Sequence, residues 1–186
     1  YLQYNNSSAI FCNLPTSAYV SNKDGNVFDL QHFINSPEMY ISVLDKYMPS
    51  TSMLISSHYW DPKSPRLFQK NNIVKYTHLK VIGDITCDVK GSIPTTLRST
   101  TIKNPYFYLD LNTFVEVKKN NNCLAIMAVD NLPSELPRNS STEFGDGIVK
   151  EVIPYIINGD DGRIKKATIA ENGLFCSSYK FLYNYI

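Results

Sequence analysis

The sequence has no apolar run long enough to span a membrane, no excess of charge of either sign and no clustered cysteines. The first absence excludes a membrane-spanning helix and points to a soluble chain. The second, 18 Lys and Arg against 17 Asp and Glu, removes the concentrated basic face that nucleic-acid binding requires. Cys12, Cys87, Cys123 and Cys176 form no C-x-x-C pair and have no His-x-x-x-His nearby, which excludes the usual zinc spacings. The eight glycines form no G-x-G-x-x-G. Residues 1–8 begin with Tyr1 and lack the charged, apolar, small-residue order of a signal peptide. The cysteines are therefore expected to be reduced, mostly buried thiols of an intracellular protein.

What is present suits a globular chain: 186 residues, 43% hydrophobic and 12% aromatic. Asp24-Gly25-Asn26 marks a turn, and Asp29 is placed to cap a short helix through Ile34. Ser36-Pro37-Glu38 predicts a second helix toward Tyr47. Residues 52–59 and 80–87 read as strands, the first of them buried. Residues 106–109 and 113–117 give two more. Residues 123–129, CLAIMAV, form the most apolar run, which predicts a strand covered on both faces of a parallel α/β sheet. Ser140-Ser141-Thr142-Glu143 then reads as a helix start. Phe144, Ile148, Val152 and Ile156 follow at helical spacing through residue 157. A short strand over 166–169 and a last helix over 178–186 complete the reading.

Strands that end in short polar residues mark the edge of an α/β sheet where ligands bind. Three ends have this character: Ser56-Ser57-His58-Tyr59, Asp84-Ile85-Thr86-Cys87-Asp88 and Asp130-Asn131-Leu132-Pro133. Acids and amides there can reach a ribose hydroxyl or a carboxamide, and equally can cap turns. His58 titrates near neutrality, which makes it a candidate acid–base group. Arg66 and Arg98 could meet carboxylates or a phosphate, Arg98 being the better placed. Cys87 has no adjacent base and is not expected to act as a nucleophile.

Taken in order, VIGDITCDVKGSI (81–93), Thr100-Thr101 with Pro105, and AVDNLPSELP (128–137) resemble the alanine dehydrogenase and pyridine nucleotide transhydrogenase family. Within that family the sequence is most similar to the lysine–ketoglutarate reductase region of aminoadipic semialdehyde synthases. Ser36-Pro37-Glu38-Met39-Tyr40, Tyr59-Trp60, Pro65-Arg66-Leu67, Phe144-Gly145-Asp146 and Ala170-Glu171-Asn172-Gly173 carry this closer likeness. Lysine-forming saccharopine dehydrogenases share D-x-L-P but usually show His where this chain has Asn131, which favours the reductase branch.

The resemblance implies a Rossmann-like parallel sheet, namely the C-terminal half of a dinucleotide-binding domain over residues 1–131. Residues 132–186 would be a crossover helix and the returning part of a second α/β domain, the substrate domain. It implies NADP or NAD as cofactor, with lysine, 2-oxoglutarate and saccharopine as small-molecule substrates. The phosphate-cradling glycine turn and the family's catalytic Lys and His would lie in a preceding N-terminal portion, so no turnover is expected from this chain alone. By the same resemblance Asp88 and Asp130 are candidate catalytic residues. Asp88 would face the nicotinamide end, and Asp130 would bind substrate or orient ribose. Ser56, Ser57, Tyr59, Asp84 and Ile85 would line the cofactor, largely through main chain. The Asn131 amide would lie against the nicotinamide, with Leu132 packed on the ring. An intracellular location, cytoplasmic or mitochondrial, and a homo-oligomer are compatible with this reading. The rivals are alanine dehydrogenase, lysine-forming saccharopine dehydrogenase and a non-catalytic nucleotide-binding module.

Overall fold

A computed structural model describes residues 9–185, which divide into a unit through Leu132 and a unit from Pro133 onward. The reading of residues 1–8, and the last residue of the predicted final helix, lie outside the described residues.

In the first unit, α1 (Thr16–Tyr19) leads into β1 (Val20–Asn22), which pairs antiparallel with β2 (Tyr40–Ser42). Between them lies α2 (Leu30–Asn35). The Asp29 carboxyl accepts the His32 N–H at 2.6 Å, so the predicted cap forms. The helix predicted from Ser36 does not. Pro37–Met39 is a single 3-10 turn, Ser36 makes no capping bond, and the chain extends into β2. The reason is burial: Tyr40 goes inside, its ring 5.0 Å from that of Phe33 and 5.7 Å from that of Phe28. Leu44 and Met48 follow at the same spacing and are also buried, each from its own 3-10 turn. The segment that the Ser36-Pro37-Glu38 start suggested as a helix is thus a strand and short turns.

The sheet contains β3 (Met53–Ser56), β4 (Val81–Asp84), β5 (Tyr106–Asp110), β6 (Glu116–Val117) and β7 (Cys123–Met127), in the order β3-β4-β7-β5-β6. β3, β4 and β7 run parallel, whereas β5 is antiparallel to both its neighbours. The sheet is mixed α/β rather than all parallel. The stretch between β5 and β7 holds only turns and the two-residue β6, which suits a hairpin return and not a helical crossover. Coverage of both faces, predicted from the apolar run, is also not seen among the described residues. Leu124 and Ile126 are fully buried, while Cys123, Ala125 and Met127 between them are half-buried. Met53 and Ile55 on β3 are exposed, so β3 is not the buried strand expected. The core therefore lies against one face, where Ile82, Leu109, Leu124 and Ile126 meet Met48, Phe68 and Ile73.

The second unit begins with α3 (Pro137–Glu151), which starts ahead of the predicted Ser140 because Pro137 occupies the first turn. The helix stops at Val152, and α4 (Ile153–Asn158) continues after the break. The strand predicted over 166–169 is replaced by α5 (Arg163–Ala167). Asp160 accounts for this: its carboxyl accepts N–H bonds from Gly162, Ile164 and Lys165 at 2.9 Å each and nucleates a helical turn. A small hairpin follows, β8 (Ala170–Glu171) and β9 (Leu174–Phe175). Asn172 and Gly173, at φ 50° and 80°, form its tight turn. The last described segment, Ser177–Tyr185, is 3-10 helix.

Candidate functional site

The parallel strands β3, β4 and β7 bring their C-terminal ends to one edge of the sheet. Ser56 and Asp84 are register partners, and the Ile85 N–H donates to the Ser56 carbonyl at 2.8 Å. Gly83 pairs with Met127, so the chain leaving β7 passes beside Asp84 on its way to Asp130. Thr100 secures this exit. Its hydroxyl accepts the Ala128 N–H at 3.0 Å and donates to the Pro105 carbonyl at 2.9 Å, while its N–H donates to the Ala128 carbonyl at 2.8 Å. Thr100, singled out in the sequence together with Thr101, is therefore a clamp on the segment that carries Asp130 and Asn131, while Thr101 pairs with Asn104.

The candidate residues differ sharply in what they can offer a ligand. Asp88, Asp130 and Asn131 are exposed, and their side chains take no hydrogen bond from the described residues. Ser57 and Tyr59 are exposed, Ile85 is at the margin of exposure, and Leu132 is half-buried. Ser56 is buried, with its hydroxyl 3.2 Å from His58 Nδ1. Asp84 is fully buried and both its oxygens are engaged by threonines. Arg98 is not free: it forks onto Glu116 at 2.8 and 2.9 Å and lies over the Phe107 ring.

Three acids act on the thiol of Cys87. Burial pushes the Cys87 thiol up from its usual range, and the charges of Asp84, Asp130 and Asp88 push it the same way. The thiol thus stays protonated at neutral pH, donating weakly to the Asp84 carbonyl at 3.4 Å. Burial holds His58 below its ordinary value, against the opposing pull of Asp84 and Asp88. At neutral pH the edge therefore carries clustered carboxyl groups beside a neutral imidazole. Such an edge suits hydroxyl groups and a cationic ring, and repels phosphate. Among the described residues, no group of three or more His, Cys, Asp or Glu side chains is arranged to hold a metal ion.

The loop after β4 has a tight geometry that spacing alone did not reveal. A Cβ on Gly91 would lie 2.4 Å from the Asp88 Cβ and 2.9 Å from its carbonyl oxygen. The Gly91 N–H donates to that carbonyl at 2.8 Å, so the turn leaves the Asp88 side chain unspent. Thr86 and Thr96, the partners of Asp84, were not among the candidates. Their only signal in the sequence is one hydroxyl residue inside the D-x-x-x-D element and another beyond it, after the loop.

Comparison with known proteins bears on most of the chain. A protein named alpha-aminoadipic semialdehyde synthase from Arabidopsis thaliana is 31% identical over 183 residues, which is 92% of this chain and 17% of the plant protein. This chain is a relative of the alpha-aminoadipic semialdehyde synthases. The mitochondrial alpha-aminoadipic semialdehyde synthases of Bos taurus and Rattus norvegicus are each 27% identical over 189 residues, 86% of this chain and 20% of theirs. The chain thus spans about a fifth of the length of these semialdehyde synthases. No protein-family model matches it. The likeness to semialdehyde synthases read from VIGDITCDVKGSI and AVDNLPSELP accordingly extends over nearly the entire sequence.

Proposed function

We propose that the edge formed by β3, β4 and β7 binds the nicotinamide–ribose end of NADP or NAD in an oxidoreductase acting on C–N bonds. The observation that supports this reading is the meeting of Asp88 and Asp130 at the ends of parallel strands, unpaired and exposed, in a relative of semialdehyde synthases. The chemistry of the edge fits one end of the cofactor. Asp88 would hold a ribose hydroxyl, the Asn131 amide would both donate to and accept from a carboxamide, and Leu132 would pack on the ring. Ser57, Ile85 and Tyr59 would approach through main chain. The pyrophosphate does not fit here, since the exposed Asp88 and Asp130 disfavour an anion and no glycine-rich turn is present. When bound, the cofactor supplies the hydride, and the protein supplies position and field.

The reaction we propose is that of a lysine–ketoglutarate reductase. Lysine condenses with 2-oxoglutarate and the resulting imine is reduced to saccharopine. Asp88 and Asp130 would favour the protonated iminium form that accepts the hydride, and the positive charge that develops on the nicotinamide ring as hydride leaves it, because a carboxyl charge close by lowers the energy of a cation. The remaining machinery would come from a further portion of the polypeptide, inside the cell and in the mitochondrion by analogy with the mammalian relatives.

The test is NADPH oxidation by the polypeptide that carries this segment, with lysine and 2-oxoglutarate. Asp88→Asn is expected to lower kcat by about a hundredfold or more at little cost in stability. Saccharopine formation at the wild-type rate by Asp88→Asn would overturn the role of Asp88. Turnover of pyruvate and ammonia instead would reassign the reaction to an alanine dehydrogenase.

A further inference from the structure

The Asp84 carboxyl is wholly inside the fold and has no basic partner among the described residues. Its oxygens share three bonds. Oδ1 accepts from the Thr86 N–H at 3.1 Å and the Thr86 hydroxyl at 2.6 Å, and Oδ2 accepts from the Thr96 hydroxyl at 2.6 Å. Thr96 is tied a second time, because its carbonyl accepts the Lys90 N–H at 2.8 Å. Lys90 and Gly91 close the turn that presents Asp88. One residue thus fastens the far side of the Asp88 loop to itself and, through its hydroxyl, to the end of β4.

The loop needs such a fastening. Cys87 and Lys90, neither of them glycine, sit at φ 57° and 54°, the left-handed region that costs an L-residue free energy. Conformations of this kind persist where surrounding contacts over-determine them. Within the loop those contacts are the Asp84 bonds, the Lys90–Thr96 bond and the Gly91–Asp88 bond.

We propose that Thr96 is a positioning residue: by holding the buried Asp84 carboxyl, its hydroxyl sets the Asp88 carboxyl at the strand ends where cofactor is read. This assigns Asp84 to an internal brace rather than to a ligand of the cofactor. The cofactor half of the proposal rests on the function proposed above, and the brace half does not.

The experiment compares Thr96→Val, which keeps the shape and removes the hydroxyl, with Thr96→Ser, which restores it, in the whole 186-residue chain. Thr95→Val is the control. Thr95 is equally buried, but its hydroxyl has no partner among the described residues. Peptide-resolved hydrogen exchange of that chain reads the loop, and NADPH fluorescence titration of the polypeptide that carries this segment reads the site. In Thr96→Val the Lys90 and Gly91 amides are expected to exchange at least about tenfold faster, the scale of one hydrogen bond to a charged group. The β7 amides should be unchanged, and NADPH affinity should fall about tenfold with them. Thr96→Ser should restore both readouts, and Thr95→Val should move neither. Thr86→Val removes a bond from the other carboxyl oxygen and should loosen the same amides, which covers a failure of Thr96→Val to fold. Unchanged Lys90 exchange in Thr96→Val, no restoration by serine, or equal acceleration throughout the unit would overturn the brace. The loop-specific pattern in the variants, together with no NADPH binding by the wild-type polypeptide that carries this segment, supports the brace and overturns the cofactor reading.

Discussion

His58 shows how a single side chain carries both the local field and a testable consequence. It faces Ser56 through Nδ1, the Tyr19 ring at 6.0 Å, and the charges of Asp84 and Asp88. Burial outweighs those charges, so the folded imidazole takes up a proton less readily than the unfolded one, whose ordinary value is 6.5. Above that value both states are neutral and His58 contributes no pH dependence. As pH falls through 6.5 the unfolded chain is protonated first, and stability is lost until the folded value is passed. A His58→Gln variant lacks this loss. Denaturant midpoints of wild type and His58→Gln should therefore diverge between pH 7 and pH 5, with wild type falling further; parallel curves would contradict the account. At this scale the sequence revealed residue types but not their partners. Asp84 and Asp88 are indistinguishable as letters in D-x-x-x-D. Only the direction of each side chain separates a buried carboxyl bonded to two threonines from an exposed one with no bond.

Among the elements, what was legible depended on whether local chemistry or long-range burial decided the outcome. Asp29 capped its helix as read, because the bond closes within three residues. The Ser36 helix failed because Tyr40, Leu44 and Met48 could reach the core without one. The 166–169 segment shows the reverse error. A strand is expected there from the sequence, but Asp160 caps three N–H groups just ahead of it and starts α5 instead. Replacing Asp160 by Ala should cost about 1 kcal/mol of local helix stability. The check is hydrogen exchange at Ile164 and Lys165, which should quicken in the variant while the β8–β9 hairpin is unaffected. The mixed character of the sheet could not be read from apolar runs, because an apolar strand gives the same pattern whichever way it runs.

For the molecule as a whole, the distribution of buried residues is lopsided. Every buried hydrophobic side chain among the described residues lies between Val20 and Val129, and the unit from Pro133 onward has none. Leu136, Phe144, Ile156, Ile157 and Leu174 there are each more than 60% exposed. Hydrophobic burial is the main favourable term in folding, so the two units should differ in resistance to opening. Slowly exchanging amides are expected only in the first unit, and limited proteolysis of the chain should cut beyond Pro133 first. Protection at α3 matching that at β7 would refute this. The sheet of the first unit carries a related asymmetry. Its β6 edge is two residues long, bears Glu116 and is straddled by Arg98, a combination that discourages a further strand. Its β3 edge, Met53-Leu54-Ile55-Ser56, has neither charge nor proline and only one hydrogen-bonded neighbour among the described residues. The sheet is thus a ribbon with a selvedge on one side and a raw edge on the other, and any lengthening of its weave has a single direction in which to go.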